Sequence, residues 1–245
     1  MPQSFFDWVI LLLKEYYPLF IRGTLITLTV AITGTIIGFI IGLGVAIVRT
    51  IPLHENDTKI KKILFKIIKF ILVAYIEIFR GTPMIVQAMV IYYGALQYLK
   101  LDMPILFAAI FIISINTGAY MAEIIRGGIV SIDIGQTEGS QSIGMTHWQT
   151  MVHIIIPQAV RNIMPAVGNE FVINIKDSSV LNVISVAELF FMTKSAAGTY
   201  LRYFEVFFIT AIIYFVLTFT VTRILKFLEK KMDGPSSYTM VRKEV

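Results

Sequence analysis

Residues 23–48 form a run of 26 side chains without a charge, and a bilayer core of about 30 Å is crossed by about 20 helical residues rising about 1.5 Å each. A stretch this long and apolar reads as a membrane crossing. Inside it Gly34, Gly38 and Gly42 recur every fourth residue, so they share one helix face, where missing side chains let a second helix approach closely. The rest of the chain agrees with this environment. At 56% hydrophobic and 15% charged residues it has too little polar surface to cover a globule in water, which excludes a soluble enzyme. There is no cysteine, so disulfides, thiolate metal sites and cysteine nucleophiles are excluded. His54, His147 and His153 form no close pair with an acidic residue that would read as a metal site.

Residues 103–125 and about 203–223 read as further crossings. The middle is harder, because residues 84–99 are uncharged for only 16 positions while 63–79 carry Lys66, Lys69 and Glu77. Residues 71–98 read as one crossing bent at Gly81 and Pro83, since proline lacks the amide donor and clashes with the preceding turn. Residues 59–70 then approach along the interface, with lysines reaching the headgroups and Ile, Leu and Phe in the boundary layer. Six Lys/Arg lie in 49–69 and six more from Arg223 onward, which places both regions in the cytoplasm. An even number of crossings must separate them, so the polar stretch 166–189 has to be the fourth. The expectation is an all-α integral membrane fold of five spans, N-terminus outside and C-terminus inside, with a cytoplasmic tail over 231–245. Residues 1–22 read as an external interfacial segment, with Asp7 where a signal peptide would be basic.

Residues 127–165 form a cytoplasmic connection longer than a loop needs. A short helix from Glu138 should stop at Gly144, the residue best suited to a left-handed helix end. Thr146 and Gln149 form a capping pair for a second helix that Pro157 should cut short. Two short helices with a tight reversal make a knob.

In these residues the chain resembles a known family. Glu138-Gly139-Ser140, three residues, Gly144, nine residues and Ile154-Ile155-Ile156-Pro157 are similar to the EAA loop of binding-protein-dependent ABC importer permeases. Gly139 and Ser140 stand for its two alanines and Ile156 for its leucine. Ile78 to Pro83, Tyr120 to Ile129, Gly135-Gln136, Pro157-Gln158-Ala159, Gly168-Asn169-Glu170 and Lys176 to Ser179 look like the polar amino acid branch, for histidine, glutamine, arginine and cystine.

The resemblance implies a type I ABC importer permease fold in a bacterial cytoplasmic membrane and no enzymatic role. The chain has no Gly-x4-Gly-Lys-Ser/Thr phosphate loop, so no cofactor is expected here, and ATP and Mg belong to a partner ATPase dimer. Further implied partners are a second permease chain, identical or different, an extracellular or periplasmic substrate-binding protein, a polar amino acid and membrane lipid, with no nucleic acid. Glu138, Gly139, Ser140, Gly144 and Pro157 are the candidates for ATPase coupling.

Ionisable groups inside a membrane are costly and usually face an interior or an aqueous path. Asn169, Glu170, Asn174, Asp177 and Ser178 on the fourth span, with Asn116 on the third, are therefore candidates for the substrate path, offering donors and acceptors to a zwitterion. Lys176 is open to pairing with Asp177 or Glu170. Glu123 shares a face with Asn116 and is open to pairing with Arg126. Arg80, Gly81, Thr82 and Pro83 read as a gate or hinge. An ion-coupled carrier or channel working without an ATPase is the alternative, and no internal repeat supports it.

Overall fold

A computed structural model of the chain describes residues 4–51 and 58–232. His54 and the tail from 233 onward lie outside the described residues. Among the described residues the structure is helical: α1 (Phe5–Thr50), α2 (Lys59–Gly81), α3 (Met84–Tyr98), α4 (Ile105–Val130), α5 (Ile134–Ser142), α6 (His147–Thr150), α7 (Ile156–Asp177), α8 (Leu189–Tyr200) and α9 (Tyr203–Met232). A π-turn, Met151–Ile155, joins α6 to α7, and a 3₁₀ segment, Ser178–Ile184, continues α7.

The central contact is between α1 and α4. A Cβ placed on Gly38 would stand 2.7 Å from Cβ of Thr117, and one on Gly34 or Gly42 would collide with Ile113 or Met121. The glycine face is therefore the surface on which α4 lies. Small residues bring the backbones together, so dispersion acts over the whole length of the pair. Ala108, Ala109, Ile112, Ile113, Ala119 and Ala122 of α4 are fully buried, which makes α4 the axis of the molecule.

Several boundaries differ from the sequence expectation. Residues 5–22 are not a separate helix: α1 is one helix of 46 residues, about 69 Å long at about 1.5 Å per residue. Ser4 and Asp7 make a capping box at its start, and Trp8, Leu12 and Phe20 pack against Leu189, Ala197 and Val206 of α8 and α9. Those protein contacts hold the N-terminal turns where the sequence suggested a headgroup layer. Residues 59–70 and 71–81 are likewise one helix, and the break expected at Gly81 and Pro83 falls after Gly81, with Thr82 as C-cap. The stretch expected over 166–189 ends as a helix at Ile184, where Ser185 takes a left-handed φ of 66°.

By length and apolarity α1, α4 and α9 each suffice to cross a membrane, and a fourth crossing arises if the pair 147–184 and α8, bent by 58°, is one span.

Candidate functional site

The polar stretch of α7 carries two different faces. Glu170, Asn174 and Ser178 are buried, and Asn174 turns toward α1 and α4. Asn174 accepts from Thr117 Oγ1 at 3.1 Å and donates to Thr35 Oγ1 at 2.8 Å, so one amide joins three helices. Ser178 donates to Ile175 O at 2.9 Å, a bond within its own helix end. Glu170 lies within electrostatic reach of Asp177 and Arg80, and Arg80 sits over the Tyr120 ring with its guanidinium carbon 5.5 Å from the centroid. Asn169 and Lys176 turn the other way and are exposed. They line two adjoining crevices of about 210 and 240 Å³ against Thr222, Arg223 and Lys226 of α9. Glu170 thus lies within range of the charges of both Asp177 and Arg80, while Asn169 faces the crevice against α9.

Asn116 belongs to a third cluster. Gln87 Nε2 lies 2.9 Å from Phe79 O, Thr82 O and Thr82 Oγ1, and Asn116 Nδ2 donates to Gln87 Oε1 at 2.8 Å. A helix end leaves carbonyls without partners, and at the break Pro83 has no amide hydrogen to offer them. Gln87 supplies the donor from the first turns of α3. Gly81, Thr82 and Pro83 are exposed, so the break opens to the surroundings on one side and is braced on the other. Sequence reasoning missed Gln87, although an amide four residues beyond a proline in an apolar stretch was the available signal. Glu123, seven residues along α4, is bound elsewhere: it accepts from Arg126 Nε and Nη2 at 3.0 and 2.9 Å and also holds Arg49. This ion triad ties the end of α1 to α4.

The connection over 131–155 folds as the expected knob with one correction. In α5 Glu138 and Gly139 are exposed, while Ser140 is buried, its hydroxyl 2.8 Å from Thr137 O and 2.9 Å from Thr150 Oγ1. Gly144 has φ of 83°. Met145 N donates to Ser140 O at 3.1 Å and Gly144 N to Gln141 O at 2.9 Å, the paired bonds that close a helix on a left-handed residue. Thr146 and Gln149 form the capping box. Pro157, however, does not cut the second helix. The π-turn widens the helix just before it, Ile156 N bonds to Met151 O, and the wider turn lets the chain pass Pro157 into α7 without leaving the helical conformation. The helix thus runs from His147 to Asp177. Gln158 Nε2 reaches Gln136 Oε1 at 3.4 Å and Asn162 Nδ2 reaches Ser131 Oγ at 3.1 Å, bracing both sides of the knob. Ile143 and Trp148 project from it, 79% and 67% exposed.

Among the described residues no group of His, Asp and Glu is arranged to hold a metal ion. The described residues thus form a helical domain with a glycine-packed helix contact, a broken helix and a protruding two-helix knob. Residues 62–234 match the family described as "Binding-protein-dependent transport system inner membrane component", and the chain belongs to this family of ABC importer permeases. These are pore-forming subunits of multi-pass membrane proteins, with ATP hydrolysis in a separate subunit and a substrate-binding protein as partner.

The chain is 35% identical over 230 residues to the glutamine transport system permease protein GlnP of Escherichia coli (strain K12), covering 93% of this chain and 98% of that protein. It is 33% identical to the arginine transport system permease protein ArtQ of Bacillus subtilis (strain 168), covering 89% and 94%. A solved amino acid ABC transporter, crystallised with histidines, superposes with TM-score 0.80 at 38% identity over 94% of this chain and 100% of that one. The MetNI methionine ABC transporter shares the fold, with TM-score 0.72 at 18% identity.

Proposed function

We propose that the chain is the transmembrane subunit of an ATP-driven importer for a polar amino acid in a bacterial cytoplasmic membrane. Two such chains, identical or different, form the path, an ATPase dimer binding ATP and Mg receives the knobs, and an extracellular or periplasmic binding protein delivers the substrate. The chain crosses five times, N-terminus outside and C-terminus inside, with α2 and α3 together as the second crossing. Glutamine and arginine in the names of relatives over 30% identical support the substrate class.

The observation that carries this reading is the continuous helical rod from Thr146 to Asp177. Its outer end is the knob, with Glu138 and Gly139 exposed beside Gly144 and with Ile143 and Trp148 as apolar anchors for a partner. Its inner end carries Glu170 and Asp177. A displacement imposed on the knob is passed along this helix to the acidic face, because the chain stays helical through both Pro157 and Pro165. The substrate path then runs past Glu170, Asp177 and Arg80, with Asn174 and Ser178 holding that face in position. The exposed break at Gly81, Thr82 and Pro83, braced by Gln87 and Asn116, serves as the gate. Asn169 stays a candidate only if the path also reaches the crevice between α7 and α9.

Gly144 provides the test. No atom lies within 4 Å of a Cβ built there, so a substitution acts through the left-handed backbone and through the docking surface alone. Gly144→Asn tolerates this conformation and Gly144→Val does not. In the reconstituted complex Gly144→Asn should keep substrate-stimulated ATPase activity within about threefold, while Gly144→Val loses it at normal expression. Normal stimulation in well-folded Gly144→Val would remove the knob from the coupling path.

A further inference from the structure

The first half of α2 divides by helical spacing into three sectors. Phe65, Ile68, Leu72 and Ile76 fall on the side turned toward the rest of the protein and are half-buried or buried. Ile60, Ile63, Ile67 and Phe70 fall on the next side and are exposed, Ile60 and Phe70 by 80% and 72%. Lys59, Lys62, Lys66 and Lys69 occupy the third, at spacings of three and four that keep them in one row, while Lys61 falls on the first side near its exposed end. The row spans about 15 Å along the axis, and the acidic residues nearest in sequence, Glu55, Asp57 and Glu77, lie before and after it.

Water does not favour the apolar row and hydrocarbon does not favour the basic one. Only the boundary between them satisfies both, with aliphatic stems lying on the apolar surface and ammonium groups in the headgroup layer. Lys69 Nζ donates to Ile51 O at 2.9 Å, which ties this helix to the end of α1. A row of one sign beside an apolar row is complementary to anions at a membrane surface.

We propose that the lysine row of α2 binds the headgroups of anionic phospholipids, so that the segment before the broken helix is anchored to a charged membrane surface. The inference goes beyond the transport reading and requires only that the chain sits in a bilayer.

The test uses the full chain with Ile63→Cys as its sole cysteine, labelled with an environment-sensitive fluorophore and reconstituted in phosphatidylcholine vesicles. Brominated phosphatidylglycerol and brominated phosphatidylcholine are compared as quenchers at equal mole fraction. Phosphatidylglycerol should quench more strongly at low salt, with a preference of at most about fivefold per engaged lysine, and the preference should fall as salt rises. It should shrink severalfold in Lys59→Gln/Lys66→Gln and persist in Lys59→Arg/Lys66→Arg. Equal quenching by the two lipids, a preference insensitive to salt, or one unchanged in the glutamine variant overturns the proposal. Failure of either lipid to quench also overturns it, by showing the face in water or covered by protein. Should the glutamine variant not fold, the salt dependence of the parental chain decides. The assay contains no ATPase, so its outcome is independent of the coupling test at Gly144.

Discussion

Asn174 presents its amide oxygen to Thr117 and its nitrogen to Thr35, and Thr35 passes its own hydroxyl hydrogen to Ala31 O at 2.7 Å. Because both threonines can bond to their own helix when the amide is lost, Asn174→Ala should cost about 1 kcal/mol, read as a lower melting temperature of the solubilised protein. Gly38→Ala should cost more, about 1–3 kcal/mol, since the new methyl meets Thr117 with no flexible end to yield. Gly44→Ala, with open space around it, is the control and should lie within about 0.5 kcal/mol of the parent. Equal melting temperatures for the two alanine variants would contradict the packing account. Glu170 and Asp177 bear on selection instead. Two carboxylates on one face favour a cationic substrate, so Glu170→Gln and Asp177→Asn should change uptake of arginine and glutamine unequally, by about tenfold for each 1.4 kcal/mol of lost differential interaction. Parental rates for both substrates in both variants would leave these carboxylates a structural role.

The elements divide by how local their causes are. The crossing in α1, the capping box at Thr146 and the left-handed turn at Gly144 were legible because each depends on residues within a few positions. Gly34, Gly38 and Gly42 announced a close helix contact, although only the fold shows that α4 fills it. What could not be read depends on distant partners. The N-terminal turns of α1 continue the same helix and pack under α8 and α9 through Trp8 and Leu12, contacts made across the length of the chain. Pro157 looked like a helix stop, and the π-turn that accommodates it has no mark in composition. The five candidates on the polar stretch look like one group in the sequence, whereas Asn169 faces the crevice against α9, beside Lys176. Gln87 is the clearest omission. Gln87→Leu keeps the bulk and removes the donor shared by Phe79 O and both acceptors of Thr82, so the break should lose about 1–3 kcal/mol of stability. Proteolysis or hydrogen exchange localised to 78–90 would report it, and unchanged protection there would show that solvent already satisfies those carbonyls.

At the scale of the molecule, rigid packing of α4 on α1 contrasts with a braced break and a knob that stands clear of the bundle. That division suits a device in which an external subunit moves one rod against a fixed frame. The proposed five-span arrangement rests on charge parity and is open to single cysteines in a chain that has none. Asp102→Cys should label from outside and Lys59→Cys from the cytoplasm, and the reverse pattern at either position would refute the topology. The central claim is that transport through this chain is driven by ATP at a partner that grips the knob. It is tested most directly by uptake of labelled glutamine and arginine into vesicles holding the chain with its ATPase and binding protein. Uptake against a gradient should require ATP inside with the ATPase, should survive collapse of the ion gradients, and should vanish in Gly144→Val. Uptake that proceeds without the ATPase and stops when the ion gradients are dissipated would contradict the account.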